Sequence, residues 1–271
     1  MLTKNNWYTS NIQERLTNPC ADLKVEMNLY PFERMDFLSA AKASALEIHH
    51  NFNNLYLAYS GGYDSEFILR LLVGLNIPVT PVIVVLGNDS ESKIAFDVCK
   101  ELDVIPHVIE LNEGIFLKTF YEKTWQILNG RGINSTQTLM VADYVNQQNG
   151  TLLTGNHLIG DDGIIEDEPN FYACEWDFYA EIFYPQLTNI DVLLYTPEVA
   201  FAPLFQIDGY SGKEWNEFRS DLYGVEYHTK FKPSYPPQIS EILNKLMSNR
   251  PCRPNSHFSW TKTELLKLLN D

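Results

Sequence analysis

Ser60-Gly61-Gly62-Tyr63-Asp64-Ser65 brings two hydroxyls, two glycines and a carboxylate together within six residues. Consecutive glycines let a backbone turn tightly and approach an anion closely, and a helix that starts near Asp64 would aim its first N–H groups at that anion. Ser60 and Ser65 add hydroxyl donors, and Asp64 can face a magnesium ion carried on a phosphate. The chemistry these residues suit is that of a phosphate cradle. A plain turn capped by Asp64 or Ser65 is the simpler reading of the same letters. A chance match to S-G-G-x-D-S in a chain of this length is on the order of a few in ten thousand, which weighs against it.

Such a cradle needs a strand that hands over directly to a helix, and the flanking residues have that order. Leu55 to Tyr59 is a short apolar run ending in Ser60-Gly61-Gly62, a strand meeting a breaker. Beyond it, Phe67, Ile68, Leu71, Leu72 and Leu75 fall at helical spacing, and Asn76-Ile77-Pro78 stops the helix. Val79 to Leu86 is rich in β-branched residues and reads as a fully buried second strand. Asp89 or Ser90 can cap the next helix, with Ile94, Ala95, Val98 and Leu102 on its apolar face. His107 to Leu111 reads as a third strand. Helical patterns follow at 114–128 and 136–149, separated by Asn129-Gly130-Arg131-Gly132, and 150–155 reads as a strand meeting a turn at Gly155.

This alternation over short connections predicts an α/β fold, a doubly wound parallel sheet with helices on both faces. Arg34 to His50 reads as a helix beside the first strand, and Thr261 to Leu269 as a terminal helix. Residues 160–191 mix acids with aromatics without a clean period and read as an irregular, aromatic-packed extension. The expected organisation is an N-terminal extension at 1–53, a core at 54–160, and an acidic, aromatic and helical extension at 161–271 that completes the domain.

The charge is uneven. Residues 132–212 hold 12 Asp and Glu and no Lys or Arg, which accounts for −12 of the formal net charge of −15. Binding extended nucleic acid requires a basic face, and only 213–271, with 9 basic against 7 acidic residues, could offer one; extended RNA or DNA is disfavoured. The acidity admits a cationic protein partner, and a homo-oligomer is the other partner expectation. Cys20, Cys99, Cys174 and Cys252 lie far apart, which removes support for zinc-ribbon, iron–sulfur and thioredoxin-like readings. No apolar run approaches the ~18 residues of a membrane span, so a soluble protein of a reducing, cytoplasmic compartment is expected. His49-His50 are adjacent on a helix and do not share a face, so they make a poor metal pair. His157, beside the Gly155 turn, is a candidate base or donor.

The hexapeptide resembles the pyrophosphate-binding loop of the ATP pyrophosphatase (PP-loop) superfamily, whose asparagine synthetase-like and NAD synthetase-like members carry an adenylating domain of Rossmann-like, adenine nucleotide alpha hydrolase type. The resemblance spans roughly 54–163 and is specific at the loop. It implies that Ser60, Gly61, Gly62, Tyr63, Asp64 and Ser65 hold the pyrophosphate part of ATP and its Mg²⁺. Leu152-Leu153-Thr154-Gly155-Asn156-His157, followed by Gly160-Asp161-Asp162, is similar to the family's later strand end. By that likeness Gly155 belongs to the nucleotide site, and Asp161 and Asp162 are candidate metal ligands beside Asp64. The acid pair falls later than in asparagine synthetase and is Asp-Asp rather than Asp-Glu. The family often sends a late lysine to the β- and γ-phosphates, which makes Lys230 and Lys232 candidate catalytic residues with Asp64; Arg131 is a further candidate cation. A solvated basic strand end is the competing reading of the lysines. Residue 2 is Leu and no glutaminase domain precedes the loop, so built-in glutamine hydrolysis is not expected.

The resemblance implies ATP-dependent adenylation of a small carboxylate or amide-like substrate, with pyrophosphate release and attack by an amine or other nucleophile. The alternative is a nucleotide-binding or structural subunit of a larger assembly that keeps the fold without the chemistry.

Overall fold

A computed structural model describes residues 7–18, 20–86, 90–125, 135–165, 168–174, 178–207, 215–225, 237–248 and 257–269. Its centre is a five-stranded, all-parallel sheet. Strands β3 (Leu55–Ala58), β4 (Thr80–Leu86), β5 (His107–Leu111), β6 (Thr151–Thr154) and β9 (Thr188–Asp191) stand in the order β5-β4-β3-β6-β9. The chain runs outward from β3 to β5, crosses back, and continues outward from β6 to β9. The strand order therefore reverses between β3 and β6, the place where open α/β sheets bind ligands.

Successive strand residues point to opposite faces, and both faces are covered. Val82 and Leu152 pack with Leu139, Ala142 and Val145 of helix α5 (Ser135–Gln147). Leu57, Ile83 and Leu153 face the other way, onto α1 (Phe37–Asn51), α2 (Tyr63–Gly74) and α3 (Ser90–Glu101). Helix α1 begins at Asp36, whose side chain accepts from the Ser39 N–H at 3.0 Å, and buries Phe37, Ala40, Ala41, Ala45 and Ile48 at helical spacing. Arg70 ties α2 to α3. Its Nε lies 2.8 Å from Glu66, and its two terminal nitrogens hold Glu101 at 2.8 and 2.9 Å. That clamp fixes the helix whose first turn follows the glycine loop.

The doubly wound class and the elements read between residues 55 and 111 are as expected, with ends shifted by one or two residues. Elsewhere the structure corrects the sequence reading. Of the helix expected over 114–128, the described part is α4 (Glu113–Thr119) running into a wide π turn at Phe120–Trp125, and 126–128 lie outside the described residues. The stretch read as irregular contains an antiparallel hairpin, β7 (Ile159–Ile165) and β8 (Glu168–Cys174), joined by β10 (His257–Thr261) into a three-stranded sheet. The same stretch holds α6 (Tyr179–Phe183) and then β9, the edge strand of the main sheet. Near the amino terminus, β1 (Tyr8–Ser10) and β2 (Val25–Met27) form a small antiparallel pair where no periodicity was legible.

Cys20 is disulfide-bonded, in contrast to the thiols expected of a reducing compartment, whereas Cys99 is free and buried. No helix among the described residues is long and apolar enough to cross a membrane. The terminal helix, α10 (Lys262–Leu268), starts with a capping box in which Thr261 and Glu264 satisfy each other's backbone N–H groups. Between these come α7 (Pro197–Gln206), packed on α1, then α8 (Trp215–Tyr223) and α9 (Pro237–Ser248).

Candidate functional site

The loop leaves β3 at Tyr59, whose N–H still bonds the Val82 carbonyl at 3.0 Å and so carries the strand pairing to the edge of the turn. Gly61 has φ +82°, a conformation that costs a side-chain-bearing residue and suits glycine. Gly62 is extended and precedes the first residue of α2. The Gly62 N–H donates to Ser60 Oγ at 3.2 Å, and the Ser65 hydroxyl donates to the Gly62 carbonyl at 2.9 Å. Each hydroxyl has one proton, so the 3.3 Å contact between the two serines is made by the Ser60 proton. Ser60, Gly62 and Ser65 thus hold one another in place, with a helix start behind them.

The end of β6 meets this loop closely. A Cβ built on Gly155 would lie 3.1 Å from Ile68 Cδ1 and 3.5 Å from the Ser65 nitrogen. Gly155 is therefore the residue that lets the second strand end pack against the start of α2. Between the two strand ends opens a cavity of about 260 Å³. It crosses β4, β3, β6 and β9, three strand spacings or ~14 Å. Val82, Val84, Leu139 and Val141 give the lining an apolar patch, and Ser92, Gln137 and Thr138 line the cavity as well. On the β6–β9 side the lining includes the polar Thr154, Asn156 and Asn189, and the Ser60–Ser65 loop borders the same cavity.

Asp64 lies in the first turn of α2 with its side chain 25% exposed. Its Oδ1 is buried without a hydrogen bond, 3.4 Å from His157 Nε2 and 3.7 Å from Arg219 Nη1. Arg219, on α8, is 3% exposed and stacks its guanidinium 4.3 Å from the centre of the Tyr63 ring. Arg219 Nη1 also contacts His157 Nε2. Asp64 is thus flanked by a guanidinium and an imidazole.

At the far end, Asp191 is 3% exposed. Its Oδ1 accepts from the Thr154 hydroxyl and from Asn156 Nδ2, the latter at 2.8 Å. Tyr59, at the base of the loop, is held protonated above the usual tyrosine range by burial and by the charge of Glu66.

The structure brings together Ser60, Gly61, Gly62, Tyr63, Asp64, Ser65 and Gly155 of the expected site, with His157 beside them. Asp161 and Asp162 lie on β7, with side chains outside the described set. Lys230, Lys232 and Arg131 lie outside the described residues. Arg219, Asn189 and Asp191 were not found from the sequence: a lone arginine on a helix and a four-residue strand carry no local signal of a site. Among the described residues no group of three His, Cys, Asp or Glu could hold a metal ion. Mg²⁺ carried on phosphates and water needs only one or two carboxylates, and the unbonded Asp64 Oδ1 is an oxygen of that kind.

No protein-family model matches the sequence, and no curated protein matches it. Among solved structures the chain is similar to a predicted subunit of tRNA methyltransferase from Methanocaldococcus jannaschii, at 16% identity over 75% of this chain and 94% of that one, with a TM-score of 0.42. It is also similar to an NH3-dependent NAD synthetase from Campylobacter jejuni, at 15% identity, 79% and 94% coverage and a TM-score of 0.39. An NMN synthetase from Francisella tularensis matches at 13% identity, with the same coverages and TM-score. Likenesses this distant leave the site to be judged on its own residues.

Proposed function

We propose that the chain binds ATP with Mg²⁺ at the Ser60–Ser65 loop and transfers AMP to a small carboxylate or amide-like substrate, releasing pyrophosphate before an amine or other nucleophile displaces the AMP. The observation that carries this reading is the self-bonded glycine loop at the strand-order reversal, opening into an elongated cavity. The apolar patch suits a base, and the loop's amides and hydroxyls suit phosphate oxygens.

In this reading a substrate oxygen attacks the α-phosphorus, and the bond from that phosphorus to the oxygen bridging to the β-phosphate breaks. The electron pair leaves with pyrophosphate. A carboxylate is already deprotonated at neutral pH, so this step needs positioning and charge neutralisation more than a base. Asp64 would help hold the magnesium ion, which when bound neutralises charge on the phosphates. Arg219 keeps Asp64 in place and supplies a fixed positive charge beneath the loop. Lys230 and Lys232 as late cations, and Asp161 and Asp162 as further ligands, complete the proposal.

Calorimetry with a non-hydrolysable ATP analogue and Mg²⁺ tests the nucleotide site. Saturable binding that is lost in Gly61→Val supports it; no binding by the wild type with any divalent metal, or binding indifferent to Gly61→Val, rejects it. The ion pairing of Asp64 with Arg219 favours a second reading, a nucleotide-binding subunit without chemistry. Pyrophosphate release across amino acids, nucleobases and small carboxylates separates the two. Release that Asp64→Asn abolishes marks the enzyme; a blank screen with intact ATP binding marks the subunit.

A further inference from the structure

We infer that the β6–β9 end of the cavity is a subsite for a primary ammonium group. Thr154, Asn156 and Asn189 line the cavity together with Tyr179 and Ala180 of α6, and buried Asp191 bonds the first two. Asp191 Oδ1 takes the single proton of Thr154 and an N–H of Asn156. Thr154 Oγ1 is left with lone pairs to offer. With its amide nitrogen turned to Asp191, Asn156 has its carbonyl oxygen on the other branch of the amide. Asn189, only 9% exposed, has its Oδ1 buried with no hydrogen-bond partner among the described residues. A buried acceptor left without a donor is costly, and a ligand that donates to it recovers that cost.

The subsite therefore presents oxygen acceptors backed by a carboxylate, and a tetrahedral –NH₃⁺ with three donors matches three acceptors. Every residue involved comes from 132–212, the stretch with 12 acids and no Lys or Arg. That field draws a cation and repels an anion. No Lys or Arg is among the described residues lining the cavity, so a phosphate or carboxylate gains nothing at this end. A divalent metal fits poorly, because the one carboxylate lies behind the wall with its Oδ1 already bonded to two protein donors.

The subsite stands on its own lining; its role as anchor for the amino group of the substrate that reacts at the loop rests on the proposed function. Titration of ¹⁵N-labelled protein with ethylammonium, ethanol and propionate tests it, read from the amide signals of Thr154, Asn156 and Asn189. Ethylammonium should shift these signals saturably, whereas ethanol and propionate should not. Asn189→Leu should weaken ethylammonium about tenfold, the value of one hydrogen bond to a charged group. Asn189→Asp, nearly the same shape and able only to accept, should tighten it. Both variants should keep the wild-type fold by circular dichroism and the wild-type affinity for the ATP analogue.

Equal shifts from ethanol, an unchanged response in Asn189→Leu, weaker binding in Asn189→Asp, or displacement of ethylammonium by Mg²⁺ alone would each overturn the inference. Asn189-dependent ethylammonium binding in a protein that binds no ATP analogue would uphold the subsite and sink the proposed function. The converse result would do the reverse.

Discussion

The cavity has two polar walls of different origin. One is the Ser60–Ser65 loop, in which Ser60, Gly62 and Ser65 bond one another, with a single glycine at positive φ setting the turn. The other gathers Thr154 and Asn156 from the end of β6 and Asn189 from β9, with buried Asp191 bonded behind the first two. The first wall is set mainly by its local backbone. The second exists only because β6 pairs with β9 in register, Thr154 opposite Asp191. A change in the loop should therefore cost binding more than stability, and removing the carboxylate that ties the assembled wall together should cost stability first.

The largest effect is expected at the assembled wall. Asp191→Ala leaves the Thr154 hydroxyl and the Asn156 amide without their buried acceptor and should destabilise the protein by about 3 kcal/mol. Urea denaturation reads this directly, and an unchanged midpoint would mean that the second wall does not depend on that pairing. Gly155→Val comes next, at the seam where the walls meet. Its side chain would press on Ile68 and the start of α2, at a cost of about 1–3 kcal/mol, with loss of ATP-analogue binding. A well-folded Gly155→Val that binds normally would show the walls to be independent.

Gly61→Ala should cost only about 1 kcal/mol, the penalty of a side chain at positive φ, yet reduce analogue affinity by more than that stability loss accounts for. Equal losses in melting and in binding would erase the distinction between the walls. Cys99 serves as a reference away from both. Burial pushes its thiol up to about 11, so the folded protein holds this proton more tightly than the unfolded chain. Cys99 should contribute full stability below about pH 8.5 and lose that contribution as pH rises toward 11. Alkylation of the native protein by iodoacetamide at pH 8 should be negligible at this site, and rapid labelling would contradict its burial.

The legibility of the site follows the same division. The loop, the strand before it and the helix after it could be read because glycine conformation, β-branched runs and helical spacing are properties of neighbours in the chain. β9 could not, since Thr188-Asn189-Ile190-Asp191 is short and puts two polar side chains into the sheet. The burial of Asp191 becomes tolerable only when Thr154 and Asn156 bond it, and no window along the chain contains both ends of that contact. The hairpin β7–β8 was hidden for a related reason: its third partner, β10, comes from 257–261, and that pairing has no local signature.

Sequence alone was sufficient for the α/β class, the position of the glycine loop between strand and helix and the surplus of acid over 132–212, each of which depends on residue type and spacing. Tertiary structure decided that Arg219 and His157 stand against Asp64, that Gly155 admits β6 to the start of α2, and that the acid-rich stretch supplies an acceptor-lined end to the cavity. Hydrogen bonds and ion pairs act over about 3–4 Å of space whatever the separation along the chain, so contacts between residues 64 and 219 arise only once the sheet has folded.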